Sequence, residues 1–145
     1  MHYDGSFEVS ASKEMCYAFA TDPAKITTIF PDVQDVRVID SNTFELKTKI
    51  GISFIKGTMD VKGNIAEKIP SKFVKLKAKA NGLGSSIDLQ SGFSMEDGTN
   101  GGTVVQWTAD AIIGGLIARV GSRLIDSAAQ KYIEQIIASL KQKLS

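Results

Sequence analysis

Residues 113–144 read IGGLIARVGSRLIDSAAQKYIEQIIASLKQKL, and this stretch decides the fold. It contains no proline. Large apolar side chains recur three and four apart: Leu116, Ile117, Val120, Leu124, Ile125, Tyr132, Ile133, Ile136, Ile137 and Leu140. Arg119, Arg123, Asp126, Gln130, Lys131, Glu134 and Lys141 fall between them. That is the period of an amphipathic helix. The pattern predicts one unbroken helix from Ile113 to Leu144, roughly 45 Å long at about 1.5 Å per residue. Such a stripe cannot be buried by the helix itself. It needs a sheet, and a flat sheet cannot wrap it.

The preceding residues supply that sheet. Tyr3, Gly5, Phe7 and Val9 alternate with Asp4, Ser6 and Glu8, the period of a strand with one wet face. Six further strands are predicted over Val33–Ile39, Thr43–Ile50, Ser53–Glu67, Lys72–Ala80, Ser85–Met95 and Thr103–Ala111. Their apolar parity carries Phe44, Leu46, Met59, Leu76, Leu89, Phe93 and Trp107. Lys47, Lys49, Lys75, Lys77 and Lys79 take the opposite parity, as lysines that keep a sheet soluble do. Asp40-Ser41-Asn42, Gly51, Pro70-Ser71, Asn81-Gly82-Leu83-Gly84 and residues 97–102 (DGTNGG) mark tight turns between antiparallel neighbours. Gly57, Gly63 and Gly92, inside strands, are places where the sheet can bend or bulge. Between the first two strands lie two short helices. Ser10 or Ser12 caps the first, which ends near Ala20 with Met15, Ala18 and Phe19 inward. Asp22-Pro23 starts the second, which carries Ile26, Ile29 and Phe30 before Pro31. The fold class is α+β: a curved antiparallel sheet of about seven strands gripping a long C-terminal helix, in one domain spanning 1–145.

Bulk properties narrow the function. The 145 residues are 43% hydrophobic and 23% charged, and 17 basic against 16 acidic side chains leave a net charge of +1. No basic excess exists to neutralise phosphates, which argues against nucleic acid as a partner. No run of about 18 apolar residues predicts a membrane span, and the first ten residues show no signal-peptide pattern. The expected location is cytoplasmic.

Catalytic chemistry finds few candidates. His2 is the sole histidine, at the terminus and on wet-face parity, so neither a catalytic triad nor a histidine metal site can be assembled. Cys16, the sole cysteine, reads as a buried structural thiol. Asp60, Asp88 and Asp110 fall on the polar parity of their strands. Thr48 and Ser91 are polar residues of inward parity; they either orient a ligand's head or bond to backbone, and the second reading is preferred. Gly114-Gly115 lacks the spacing of a phosphate loop and reads as the swivel from strand into helix. No catalytic residue, metal site or cofactor is predicted. Gly121, Ala128 and Ala129 interrupt the large residues of the terminal helix. They either bring helix and sheet into close contact or leave room for an apolar ligand.

The segments KIGISFIKGTMDVKGNIAEKIP (49–70), NGLG (81–84) and GTVVQWTADAIIGGLIARVGSRLID (102–126) resemble the carbon monoxide dehydrogenase G-subunit (CoxG) family, of the START-like, SRPBCC helix-grip superfamily. FEVSASKEMCYAFATDPAKITTIFPDV (7–33) is similar to that family's opening. Gly114-Gly115 and Gly121-Ser122-Arg123-Leu124 are the most diagnostic pieces. Many members have a Pro-Gly pair where this chain has Pro31-Asp32, and some continue into a membrane-directed tail, so recruitment through such a tail is not an expectation from these residues. The resemblance implies an apolar cavity under the C-terminal helix and an accessory role to a redox enzyme. The expected cargo is a lipophilic small molecule, quinone- or lipid-like. The expected lining is Phe30, Phe44, Leu46, Met59, Leu76, Leu89, Phe93, Trp107, Val120, Leu124 and Ala128. Peripheral contact with the inner face of the membrane is an expectation without a tail to support it. A polyketide cyclase-like enzyme and a docking or assembly factor are the alternatives.

Overall fold

The computed structural model describes residues 1–145. Seven strands form one antiparallel sheet: β1 (His2–Val9), β2 (Val33–Val38), β3 (Thr43–Ile52), β4 (Ile55–Ile69), β5 (Phe73–Gly82), β6 (Ser85–Asp97) and β7 (Thr103–Gly115). Their order is β1-β7-β6-β5-β4-β3-β2. Every pair but one follows the chain through a short turn. The exception is β1, which crosses to pair with β7, His2 opposite Asp110 and Val9 opposite Thr103. The short helices α1 (Lys13–Ala20) and α2 (Pro23–Ile26) carry the chain from β1 at one edge to β2 at the other.

Local chemistry explains these elements. Ser12 caps α1 by accepting from the Met15 backbone N–H, and Asp22 caps α2 by accepting from Ala24 at 2.9 Å, with Pro23 in the first turn. The buried face of α1 is Cys16 and Ala20. Met15, expected inward, is 61% exposed, and Ala18 is exposed too. In eight residues the capped start fixes the helix rotation, and it aims the thiol rather than the thioether at the core.

The terminal segment differs from its reading as one helix. β7 runs on to Gly115, a single 3₁₀ turn covers Ile117–Val120, and α3 begins only at Ser122 and ends at Lys143. Its 22 residues span about 33 Å. Two glycines make the break. Gly115 has φ 82°, and a Cβ there would sit 2.2 Å from the Gly84 carbonyl oxygen, so strand-to-helix reversal needs glycine at that point. Gly121 has φ 97° and precedes α3 rather than interrupting it. The apolar spacing of residues 113–120 is shared by a strand end followed by one tight turn, and periodicity alone cannot separate the two. Leu124, in the first turn of α3, consequently faces outward at 46% exposure, and Leu116 at 47%.

Two further expectations shift. The β3–β4 turn is Ser53-Phe54, not Gly51, so β3 runs two residues further and β4, of the expected length, is displaced two residues along the chain; Ser53 holds the left-handed conformation (φ 59°) that the turn requires. The register shifts of the sheet fall around Gln34 and Ala66 rather than at Gly57, Gly63 or Gly92. Gly63 has a different use. An added Cβ there would lie 2.3 Å from the Phe44 ring, so the glycine is the seat on which that ring lies. Phe44 is 1% exposed, and its centroid is 6.2 Å from that of Phe30.

The core divides in two. The larger cluster joins β-strand residues such as Phe7, Phe44, Leu46, Val74 and Leu76 to Cys16, Ile26, Ile29, Leu140 and Leu144. The smaller one joins Ile52, Ile55, Met59 and Ala80 to Ile117 and Ile125. Helix α3 therefore rests on one cluster at each end.

Two substitutions should move stability in opposite directions. Gly63→Val drives a branched side chain into the Phe44 ring and should cost about 1–3 kcal/mol. Asp32 holds φ 55°, a conformation that favours glycine, so Asp32→Gly should add about 0.5 kcal/mol. Urea unfolding midpoints of the two variants against the parent chain measure both.

Candidate functional site

The site is the seam between α3 and the inner face of the sheet. The chain places large side chains at its two ends and small ones in its middle. Ala78, Ser91, Ala109 and Ala111 share the inward parity of β5, β6 and β7, and in register Ser91 faces Ala109 while Ala78 and Ala111 flank Leu89. Ala128 and Ala129 lie in the second turn of α3, ahead of Tyr132 at its middle. None of these residues belongs to the buried set, although all lie on the inner side of the sheet or on the helix that covers it. Ala128 is partly buried against the smaller cluster, and the other five belong to neither cluster.

Ten of the eleven expected lining residues distribute along this seam. Phe44, Leu46 and Leu76 are packed into the larger cluster, with Phe30, Phe93 and Trp107 partly buried against it. Met59 is fully buried in the smaller cluster, with Val120 and Ala128 against it. Leu89 faces the seam half-buried, outside both clusters. Leu124 is turned away from the seam, for the reason given above. A small apolar void of about 20 Å³ lies beneath the C-terminal end of α3, lined by Phe7, Cys16, Phe93, Leu140 and their neighbours. It is far below the roughly 300–1,000 Å³ of ligand pockets.

Polar groups at the seam are few. Tyr3 on β1 donates its hydroxyl to Asp126 Oδ1 on α3 at 2.6 Å. Desolvation, reinforced by this bond to a carboxylate, pushes the Tyr3 phenol up to about 12. Burial also pushes Tyr132, in mid-helix, up to about 12. Both phenols thus stay protonated donors at neutral pH. Thr48 and Ser91 bond to backbone, as preferred from sequence: Thr48 Oγ1 donates to the Pro31 carbonyl at 2.9 Å and Ser91 Oγ to the Thr108 carbonyl at 2.8 Å. Trp107 lies against Gly5, where a Cβ would come within 2.9 Å of the ring. Its Nε1 is the one buried side-chain polar atom without a partner. Burial raises the Cys16 thiol above its ordinary value, the opposite of an activated nucleophile.

Sequence reading missed two features. The Tyr3–Asp126 tether was hidden because Asp126 sits on the polar side of the helix pattern. The alanines at inward parity were visible, but attention to large apolar residues passes over them.

The outer face carries a wide depression of about 550 Å³ lined by Lys62, Lys77, Lys79, Asp88, Asp110 and His2 among others. Part of its charge is paired: Lys79 lies 3.5 Å from Asp88, and the His2 ring bridges Asp110 at 2.6 Å and Asp4 at 2.9 Å. No group of three or more metal-ligating side chains is assembled anywhere in the chain.

The family model of the carbon monoxide dehydrogenase G-subunit (CoxG) matches residues 5–145. The chain belongs to that family. Its fold is the START-like helix-grip, and three solved structures are similar to it. A conserved protein from Geobacillus kaustophilus is 19% identical, with a TM-score of 0.88 over 99% of this chain and 95% of that one. A START superfamily protein from Mycobacterium smegmatis is 12% identical, with a TM-score of 0.73 over 99% and 96%. The Zhui aromatase/cyclase from Streptomyces sp. R1128 is 9% identical, with a TM-score of 0.70 over 99% and 93%. At these identities the likeness is one of fold. No curated protein matches the sequence. No helix of this CoxG family member is long and apolar enough to cross a membrane.

The bridged His2 ring supplies a test of the outer face. Hydrogen bonds that the ring N–H groups donate to Asp110 first and Asp4 second raise its pKa above 6.5. A raised folded-state pKa means that its stabilisation is complete below the unfolded value near 6.5 and is lost as pH rises through the folded value. The His2 ring resonances should titrate above 6.5, and Asp110→Asn should lower that midpoint, as followed by NMR.

Proposed function

We propose that this CoxG family member is a non-catalytic carrier that holds a lipophilic small molecule, quinone- or lipid-like, between α3 and the inner face of the sheet. One observation carries the reading: the helix is anchored on apolar clusters at its two ends, while its middle faces a floor of alanine and serine. A seam of this composition can accept apolar bulk without unpacking either anchor. Affinity would come from apolar area removed from water, roughly 25 cal/mol per Å². The unpartnered Trp107 Nε1 would gain a hydrogen bond if a cargo carbonyl reached it, which favours an oxygen-bearing molecule such as a quinone over a plain alkane. The family's name supports a carbon monoxide dehydrogenase-type redox enzyme as the partner served.

An enzyme of the cyclase kind, suggested by the name of the Streptomyces neighbour, is less well supported. Such a reaction needs a base at the seam. The titratable side chains described there are two phenols held near 12 and Asp126, which is engaged by Tyr3.

Two measurements test the carrier reading. Native mass spectrometry after gentle purification, and after incubation with quinones and fatty acids, should show a bound molecule; a chain that stays empty throughout would sink the idea. Ala109→Leu should then cost less than about 0.5 kcal/mol, because it fills free space, and should reduce cargo uptake. A seam packed shut would instead lose about 1–3 kcal/mol to overpacking. Thermal unfolding with and without cargo separates these outcomes.

A further inference from the structure

An antiparallel sheet that does not close has two edges, and β2 forms one of them. Its sheet neighbour β3 satisfies only half of its backbone groups. The Ile39 N–H donates to the Thr43 carbonyl at 3.0 Å, in the same register that sets Arg37 opposite Glu45 and Asp35 opposite Lys47. Along an antiparallel ladder such bonds recur at every second residue. Asp35 and Arg37 therefore direct their N–H and C=O groups toward β3, while Val36 and Val38 direct theirs off the sheet. No other strand pairs with them.

Edges of this kind are ordinarily blunted by lysine, proline or a charge that points inward. Residues 35–39 (DVRVI) contain neither lysine nor proline, and their two charges take outer parity, opposite Lys47 and Glu45. Val36 and Val38 take inner parity, opposite Leu46 and Phe44. Leu46 and Phe44 are buried, yet Val36 is 41% exposed and Val38 48%, so the cover over β3 stops short of β2. Two β-branched side chains left in water beside unpaired backbone groups contribute little to the fold of a single copy.

We infer that β2 pairs with β2 of a second copy of the chain, antiparallel and about a two-fold axis at Val36. Charge selects both the occupant and the register. With Val36 opposite Val36, Asp35 of each copy faces Arg37 of the other, and the two-fold makes this match twice. These positions are not hydrogen-bonded across the axis, and at such positions opposed side chains stand closest. The free backbone groups of Val36 bond across the axis, and those of Val38 meet Gln34. Moving the axis to the residue before or after Val36 keeps the bonding pattern but sets Asp35 against Asp35 or Arg37 against Arg37. Arg37 also lies 3.7 Å from Glu45 of its own copy, so in the pair it stands between two carboxylates. The inner faces of the two sheets fall on the same side, and Val36 packs on Val36 where each alone is open to water.

Sedimentation velocity of the full chain over a range of concentrations tests the pairing. A reversible monomer–dimer equilibrium is expected, shifting toward monomer as salt rises. Arg37→Glu opposes acid to acid, and Asp35→Arg opposes arginine to arginine. Each alone should weaken self-association about ten- to thirtyfold, because every change is made twice in a two-fold dimer. Mixed in equal amounts, the two variants should form a heterodimer with the parent's affinity, since each supplies the charge that the other lacks. Both positions are exposed, and thermal midpoints close to the parent's verify the folds. Val36→Pro is a second, uncharged probe: it removes an N–H that points off the edge, spares the β2–β3 ladder and should abolish the dimer. Amide exchange at Val36 and Val38 should slow as the parent dimer forms. A chain that stays monomeric at about 1 mM, a dimer that survives Val36→Pro, or charge variants that associate as the parent does and gain nothing on mixing would each overturn the inference. These measurements use the chain without cargo, so the carrier reading stands or falls separately.

Discussion

Everything in this structure answers to the burial of one helix. Helix α3 is amphipathic and meets the short helical segments only through the larger cluster, at Cys16, Ile26 and Ile29, so the sheet must supply most of its apolar surroundings. The sheet does so by curving, and the two ends of the helix are then pinned by different means. At the C-terminal end the Leu144 carbonyl accepts from the Ala11 N–H at 2.9 Å, and Leu140 and Leu144 are buried among Phe7, Val9 and Val105. At the N-terminal end no side-chain cap exists. There Ile117, fully buried in the turn before the helix, and Ile125 in its first turns hold the position. Covalent continuity through Gly115 ties that anchor to β7. With both ends fixed, the sheet floor between them need not be filled by large side chains, and the alanines of β5 and β7 form part of it.

Much of this architecture was legible in the residues. Alternation marked the strands, because one wet face forces polar and apolar residues into strict succession, and Ser12 and Asp22-Pro23 marked the short helices through capping chemistry. The start of α3 was not legible. Residues 113–120 satisfy both a helix period and a strand ending in one tight turn, and only the backbone angles of Gly115 and Gly121 decide between them. The same error displaced Leu124, which helical phase counted from Ile113 turned inward and the structure turns outward. The seam was half legible. Large apolar residues of inward parity led to the clusters at its ends, whereas its middle is defined by what is small. The Tyr3–Asp126 bond joins residues 123 positions apart, and no local pattern announces such a pairing.

The division of the core also bears on how a binding protein can be both stable and permissive. Cavities within a single close-packed core are costly, because the lining loses dispersion contacts on one side. Two compact clusters with a small-residue seam between them confine that cost to side chains with few atoms to lose. The Tyr3–Asp126 bond spans the seam near its N-terminal half and holds the first strand to the helix. A structure arranged in this way keeps its geometry whether the seam is filled or empty.

The pairing of β1 with β7 carries a consequence for the history of each molecule. His2 lies beside Asp110, and the two are separated by 108 positions in the chain. The hairpins β2 to β7 are local and can form as soon as their turns exist, but the first strand must wait for the last. Folding is therefore dominated at its close by contacts of long sequence separation, which are slow to form. Until then the concave apolar face of six strands stands uncovered. The moment of greatest exposure to aggregation or to passing hydrophobic molecules thus precedes the mature fold, and the surface at risk is the one that the finished protein keeps for its seam.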